Sequence, residues 1–474
     1  MSNSYKSPVF SRAAKYRVLV GLLIVILSGV CEVRADKIDD YLRAQMVKNH
    51  VPGLSVAIVR NGKIIKLKGY GVANLEWEQP VTPDTAFQIA SSTKPFTGTA
   101  LMMLVEDGKL SLDDKVSKYL PDAPAAWQNI TIRHLATHSS GITNRVNANS
   151  DASVEEFVKA AYPLALDYQP GAKSAYGLTD FVVLTHIIEK VSGQNFTNFL
   201  KTKLLDRFQM SDSGFEFASE IAAMRFANVI KKRATVYQRQ ADVQKIYWYL
   251  YPPRTYSAGG MFLTAADIAK FLVAMDEGKV LSEKSFGQMW NQDKLGDGSL
   301  NGFGIGWVVG SYNGHKTAGH SGGPALGDIL RFPEEKLSIV VLSNEQRLYP
   351  YLAKGIADFY FPPAPVKEVK GIVDNDPELT QIVKNFLAGG MRDEIDRTLF
   401  TDKSKRDFVP GYYTFGLPFF GALEPLESVV LLEHKADENK IIRRYRSVHG
   451  KKAVIWRFEF SGDRKFISID SFQE

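Results

Sequence analysis

A chain of 474 residues that is 45% hydrophobic and 23% charged can bury a large core and has ordinary globular composition, which excludes a disordered protein. The formal net charge of +6 falls to about +2 without the first 35 residues, which hold five basic residues and one acidic one, so there is no case for a nucleic-acid partner. The single cysteine, Cys31, lies in that same segment, and its removal would leave neither disulfides nor thiol catalysis.

In chain order, Lys6, Arg12, Lys15 and Arg17 precede the apolar run VLVGLLIVILSGV (18–30), and VRA ends at Ala35 with small residues suited to cleavage. Residues 1–35 therefore read as a secretory signal peptide, and the mature protein is expected in the periplasm or secreted. Membrane contact follows only if the segment stays uncleaved or is lipidated at Cys31. The run is shorter than the ~20 residues of a span, and Val30 is a poor residue before a lipidated cysteine.

A short amphipathic helix is expected from Ile38 to Lys48. LSVAIVRNGKIIKLKGYGVAN then reads as a hairpin turning at Asn61-Gly62. Helical and loop segments follow from about 94 to 290, among them TALMMLVEDGKL, DFVVLTHIIEKVSG and TAADIAKFLVAMDEGK, each apolar at three-to-four spacing and ended by glycine. Strands return from FGIGWVVG to IVVLSN. Strands at both ends of a helical middle imply one sheet assembled from distant parts of the chain. Residues 36–360 thus form the main domain and 361–370 a proline-rich linker. Residues 371–474 form a small C-terminal α+β domain, in which Asp376-Pro377 starts a helix and Trp456, Phe458 and Phe460 alternate with Arg457 and Glu459.

Chemistry concentrates in FQIASSTKPFTG (87–98). Ser91 and Lys94 form the only S-x-x-K in the chain, and if a helix starts here they share a face; Pro95 supports that start. A serine hydroxyl becomes nucleophilic when a neighbour removes its proton, and an amine can do so once burial brings its pKa down from ~10.4. The plain alternative is a capping serine with a surface lysine.

The stretch resembles the penicillin-recognising serine hydrolases: class C β-lactamases, D-Ala-D-Ala carboxypeptidases, D-aminopeptidases and related esterases. Across residues 38–345 the resemblance includes GLSVAIVRNGK, LSLDDKVSKYLPD, TIRHLATHSSGI, PGAKSAYGLTDFVVLTHIIEKVSG, YSAGGMFLTAADIAKFL and GHSGG, in the family's order. It implies the β-lactamase/D-Ala-D-Ala peptidase fold, an α/β architecture with an antiparallel sheet flanked by helices plus an all-helical region. It also implies an acyl-enzyme on Ser91, with Lys94 and Tyr176 managing the proton and the backbone N–H groups of Ser91 and Gly323 forming an oxyanion hole. No metal or cofactor is called for, and the partner is a small-molecule or peptide substrate.

Two motifs depart from the family. Its Y-x-N reads Tyr176-Gly177-Leu178 here, so the amide expected beside the substrate is replaced by Leu178. Its K-T-G reads His320-Ser321-Gly322, where His320 would donate to a substrate carboxylate or shuttle a proton, with Ser321 and Gly322 lining the substrate. Asn344 resembles a family residue near the substrate carboxylate, and closing a core strand is the alternative. Esters or D-amino-acid amides then suit the site better than rapid β-lactam turnover, with a class C-like β-lactamase and a non-catalytic sensor of cell-wall fragments left open.

Competing motifs exist. GHSGG is also a G-x-S-x-G, which would make Ser321 the nucleophile if a strand-to-helix elbow formed there. Lys316-Thr317 mimics K-T-G but is followed by Ala318. His134 and His138 are four apart but lack the intervening Glu of H-E-x-x-H, which favours structural roles. Tyr247, Trp248, Tyr249 and Tyr251 edge the cleft or pack in the helical region.

Overall fold

The computed structural model describes residues 37–473 except 150, 217, 222–223, 241, 324–325, 347–351, 391–394, 408, 410–415, 417–418, 421–422 and 437–439. The expected leader over 1–35, with Cys31, lies outside the described residues. A helix covers 37–49, where the amphipathic pattern puts one.

The main sheet takes strands from both ends of residues 50–345. β1 (Gly53–Arg60), β2 (Lys63–Asn74) and β3 (Gln79–Pro80) come first, then β4 (Val308–Tyr312), β5 (His315–Gly322), β6 (Gly327–Phe332) and β7 (Leu337–Ser343). They pair antiparallel in the order β4-β5-β6-β7-β1-β2-β3. Asn61 and Gly62, at φ 51° and 70°, make the two-residue turn between β1 and β2, and only residues tolerant of positive φ suit both positions. The seam that joins the two ends is β1 on β7, in register from Leu54 opposite Ser343 to Arg60 opposite Leu337.

β6 and β7 are buried at every position and β1 at all but its last, so both sheet faces are covered. Between β3 and β4 lie α1 (Lys94–Glu106), α2 (Thr179–Ser192) and α3 (Ala265–Asp276). After β7 comes α4 (Leu352–Ala357). α3 packs on β1 and β7, and α4 on β6 and β7. α1 is buried on every side from Lys94 to Leu104, and the hydroxyls of Thr97 and Thr99 within it donate to the carbonyls of Ser257 (2.7 Å) and Pro95 (2.8 Å). Gly98 lets the backbone at Ile305 approach it, since a Cβ there would stand 2.2 Å from the Ile305 carbonyl oxygen.

The middle of the chain holds strands that were not expected, including Gly214–Phe215 and Met261–Leu263, which form a small sheet with Phe87–Gln88. Two short hairpins, Ala218–Ile221 with Met224–Ala227 and Tyr237–Gln240 with Val243–Ile246, occur where helix and loop were expected. Strands of four residues such as YQRQ carry no clean apolar alternation, so their sequence gives no period to read.

Beyond an irregular stretch over 362–374, α5 (Pro377–Gly390) begins with the Asp376 carboxylate accepting the Leu379 N–H at 3.2 Å. It buries Leu379, Val383 and Phe386 in a separate apolar cluster with Trp456, Phe458 and Phe460. The four-stranded antiparallel sheet beneath is β8 (Leu426–Ala436), β9 (Lys440–His449), β10 (Lys452–Ser461) and β11 (Phe466–Gln473), in that order. The α/β class, with its antiparallel sheet, flanking helices and distinct C-terminal α+β region, is the one the sequence implies.

Candidate active site

Ser91 stands where the chain passes from the short strand Phe87–Gln88 through a 3-10 turn, Ala90–Thr93, into α1. Ala90 adopts a left-handed φ of 47°, which costs a residue with a Cβ ~1–2 kcal/mol. Its neighbours hold it there. The Thr93 hydroxyl donates to the Ala90 carbonyl at 2.7 Å, and the Ser92 hydroxyl is shared between the carbonyls of His320 (3.0 Å) and Gly327 (2.8 Å). The strained turn leaves Ser91 partly exposed while Ser92 and Thr93 are fully buried.

Lys94 begins α1 with no exposed surface. Its Nζ donates to the Tyr176 hydroxyl and to the Ala258 carbonyl, each at 2.8 Å, and lies 3.4 Å from Ser91 Oγ. The rings of Tyr176 and Phe181 are 4.8 and 5.2 Å away. Desolvation in this setting lowers its pKa from the ordinary 10.5 to about 7. A neutral amine has two N–H groups and one lone pair. With the N–H groups given to Tyr176 and Ala258, the lone pair is left for the Ser91 hydroxyl.

Tyr176 is 45% exposed as a residue, yet its hydroxyl is enclosed. Burial raises the phenol to about 12, opposed by the smaller lowering effect of its contact with the Ser91 hydroxyl. Near neutrality the phenol keeps its proton, and half of the amine population has lost its own.

Behind Tyr176 lies a buried group that sequence reasoning missed. The His138 ring sits 4.7 Å from Tyr176, 5.2 Å from Phe181 and 5.1 Å from Phe303. Its Nδ1 is 3.3 Å from Asp180, whose other oxygen accepts the Ser140 hydroxyl at 2.5 Å. The His138 carbonyl accepts the N–H of Ala175, next to Tyr176, at 2.9 Å. Burial raises Asp180 to about 8, and burial and Lys94 together drive His138 well down, so the pair is uncharged near neutrality and sets no strong field on the amine. HLATH offered a signal for His138, but nothing local links it to Asp180. His134 is engaged elsewhere: its Nδ1 accepts the Thr131 N–H at 3.2 Å in a capping box.

The end of β5 closes the site. A Cβ at Gly322 would stand 2.2 Å from the Ile89 carbonyl oxygen and 2.6 Å from the Ser91 nitrogen, so glycine alone permits this approach. Gly323 follows in a left-handed conformation, φ 74°. His320 is buried, and burial with Lys94 nearby presses its pKa to about 3. Its Nδ1–H donates to the Ser321 carbonyl at 2.8 Å, which leaves Nε2 as an acceptor. The expected donation from His320 to a substrate carboxylate is therefore not what this burial and tautomer offer at Nε2. Ser321 lies within β5, and the next element is β6, paired antiparallel to it, so GHSGG is no nucleophile elbow.

Two expected residues sit differently. Asn344 is wholly buried and its carboxamide is spent on the sheet: Oδ1 accepts the Gly53 N–H at 2.8 Å, and Nδ2 donates to Val72 at 3.1 Å. It closes the core strands and has nothing left for a substrate. Leu178 is partly exposed at the start of α2 and brings no amide. The amide that does reach this turn is that of Asn144, whose Oδ1 accepts the Thr179 N–H at 3.1 Å and which packs on Gly177. Thirty-four residues separate Asn144 from Leu178, too far for a motif to show.

Comparison with known proteins gives matches at the level of family and fold. Residues 38–357 match the Beta-lactamase family model. The putative penicillin-binding protein PbpX of Bacillus subtilis (strain 168) is 31% identical over 64% of this chain and 74% of its own. Protein flp of Staphylococcus aureus (strain N315) is 28% identical over 65% of this chain, which spans 62% of flp. The octameric penicillin-binding protein homologue from Pyrococcus abyssi superposes with a TM-score of 0.61 at 24% identity, over 93% of this chain and 98% of its own, a likeness of fold.

Proposed function

Because the chain belongs to the beta-lactamase family of hydrolases, we propose that it is a serine hydrolase that forms an acyl-enzyme on Ser91 with an ester or a D-amino-acid amide. The observation that carries this reading is the buried Lys94 amine, bonded to Tyr176 and facing Ser91. In the proposed step the Lys94 lone pair takes the Ser91 proton as Oγ bonds the substrate carbonyl carbon. The carbonyl electrons move onto oxygen, held by the N–H groups of Ser91 and Gly323. On collapse the bond to the leaving group breaks. That group takes the Tyr176 proton, which the Lys94 ammonium replaces. Water then repeats the sequence with Ser91 as the leaving group.

Leu178 in place of an amide, and neutral His320 in place of a lysine, favour substrates without an anchored carboxylate over β-lactams. We also place the protein outside the cytoplasm, on the strength of the leader-like residues 1–35.

Intact-mass measurement after exposure to a fluorophosphonate, a penicillin and a p-nitrophenyl ester tests the reading. Fluorophosphonate adds to the parent and to Ser321→Ala but not to Ser91→Ala, and the ester turns over. Labelling that survives Ser91→Ala and vanishes in Ser321→Ala would overturn the assignment, and stable acylation without turnover would favour a sensor.

A further inference from the structure

A small cavity of about 110 Å³ opens beside Ala90, which precedes the proposed nucleophile, and Gly323, one of the two proposed oxyanion donors. It is also lined by Gln88, Tyr247, Tyr249, Tyr251, Leu326 and Gln346, and none of these described residues is charged. The walls are braced. Tyr249 and Tyr251 meet edge to face at 4.7 Å, the Gln88 side-chain amide donates to the Tyr249 carbonyl at 2.9 Å, and the Tyr251 ring lies where a Cβ on Gly259 would be, 2.3 Å away. A larger groove of about 670 Å³, near His186 and Arg254, is lined by none of the proposed catalytic residues.

We propose that the small cavity receives the acyl part of the substrate, and that this part is short and uncharged, with roughly three to five non-hydrogen atoms at ~30 Å³ for each water-sized group. The proposal rests on Ser91 being the nucleophile.

Which side of the scissile bond lies here follows from the proton. The leaving group must reach Tyr176, and neither Tyr176, Lys94 nor His320 lines the cavity. The carbonyl oxygen is directed at the Ser91 and Gly323 amides, so the remaining substituent on the carbonyl carbon, the acyl chain, is the one directed into the cavity. A charged acyl group would lose its hydration there without gaining an opposite charge from any described lining residue. A long chain has no room. Acetyl to pentanoyl esters, or an alanyl-sized amide, fit.

The test holds the leaving group constant: kcat/KM for the p-nitrophenyl esters of acetate, butyrate, hexanoate and octanoate. The parent is expected to lose at least about 10-fold from butyrate to octanoate, within the range by which a pocket discriminates extra methylenes. Tyr249→Ala and Tyr247→Ala should each raise octanoate relative to butyrate by about 10-fold, and either variant suffices if the other fails to fold. Ser91-dependent turnover that stays level or rises with chain length overturns this inference and leaves the hydrolase reading standing. So does a decline that neither tyrosine variant relieves. Failure of Ser91 to label at all would overturn the hydrolase reading, and this inference with it.

Discussion

Lys94 is tolerated in the interior because it gives up its charge. In the unfolded chain it holds its proton up to about 10.5, and in the fold only to about 7. Between those values the unfolded state binds more protons, so stability due to Lys94 is complete above about 10.5 and is lost at ~1.4 kcal/mol per pH unit as pH falls to about 7. Asp180 acts oppositely. Its raised pKa gives stability that is full below the ordinary 3.8 and lost as pH rises to about 8. Lys94→Met, which keeps the length and removes the amine, should therefore unfold at higher urea than the parent at pH 7, by roughly 2 kcal/mol, with the gap closing toward pH 10. A variant less stable than the parent, with no pH dependence, would show that burial is not what depresses the amine. S-x-x-K was legible because two residues three apart in a helix share a face. His138 and Asn144 were not, because the chain brings them beside Tyr176 from more than thirty residues away, and Asp180, though four residues past Tyr176, is tied to His138 only by the fold.

At the scale of elements, the site is the junction of one strained turn, one buried helix and one strand end. α1 could be anticipated from its apolar run and Pro95, and the β1–β2 hairpin from Asn61-Gly62. The left-handed Ala90 could not, since no residue type announces a strain imposed from outside by Ser92, Thr93 and the strands they bind. The junction depends on the backbone of β5 passing close to the turn. Gly322→Ala puts a methyl against the Ser91 N–H and should lower kcat/KM for a p-nitrophenyl ester about 100-fold, comparable with losing one oxyanion donor, while circular dichroism stays as in the parent. Retention of full activity would mean that the Ser91 amide is not part of the oxyanion hole.

At the scale of the whole molecule, the closure of one sheet by β1 on β7 was legible because strand-like segments bracket a helical middle, and the C-terminal meander because Trp456, Phe458 and Phe460 alternate with charged residues. The hairpins over 218–246 escaped because four-residue polar strands have no period. The leader proposed for residues 1–35 makes its own demand. Protein recovered from an exporting host should begin at Asp36 by N-terminal sequencing. A chain that keeps residues 1–35, or one that starts at a lipid-modified Cys31, would contradict cleavage after Ala35 and return the protein to a membrane surface.

The most direct test of a buried amine activating Ser91 is the rate of fluorophosphonate addition between pH 5 and 10. The parent should rise to a plateau with its midpoint near pH 7, and Lys94→Met should fall at least about 100-fold with that inflection gone. A parent profile that only begins to climb near pH 10, or a Lys94→Met variant that keeps the parent's curve, would contradict it.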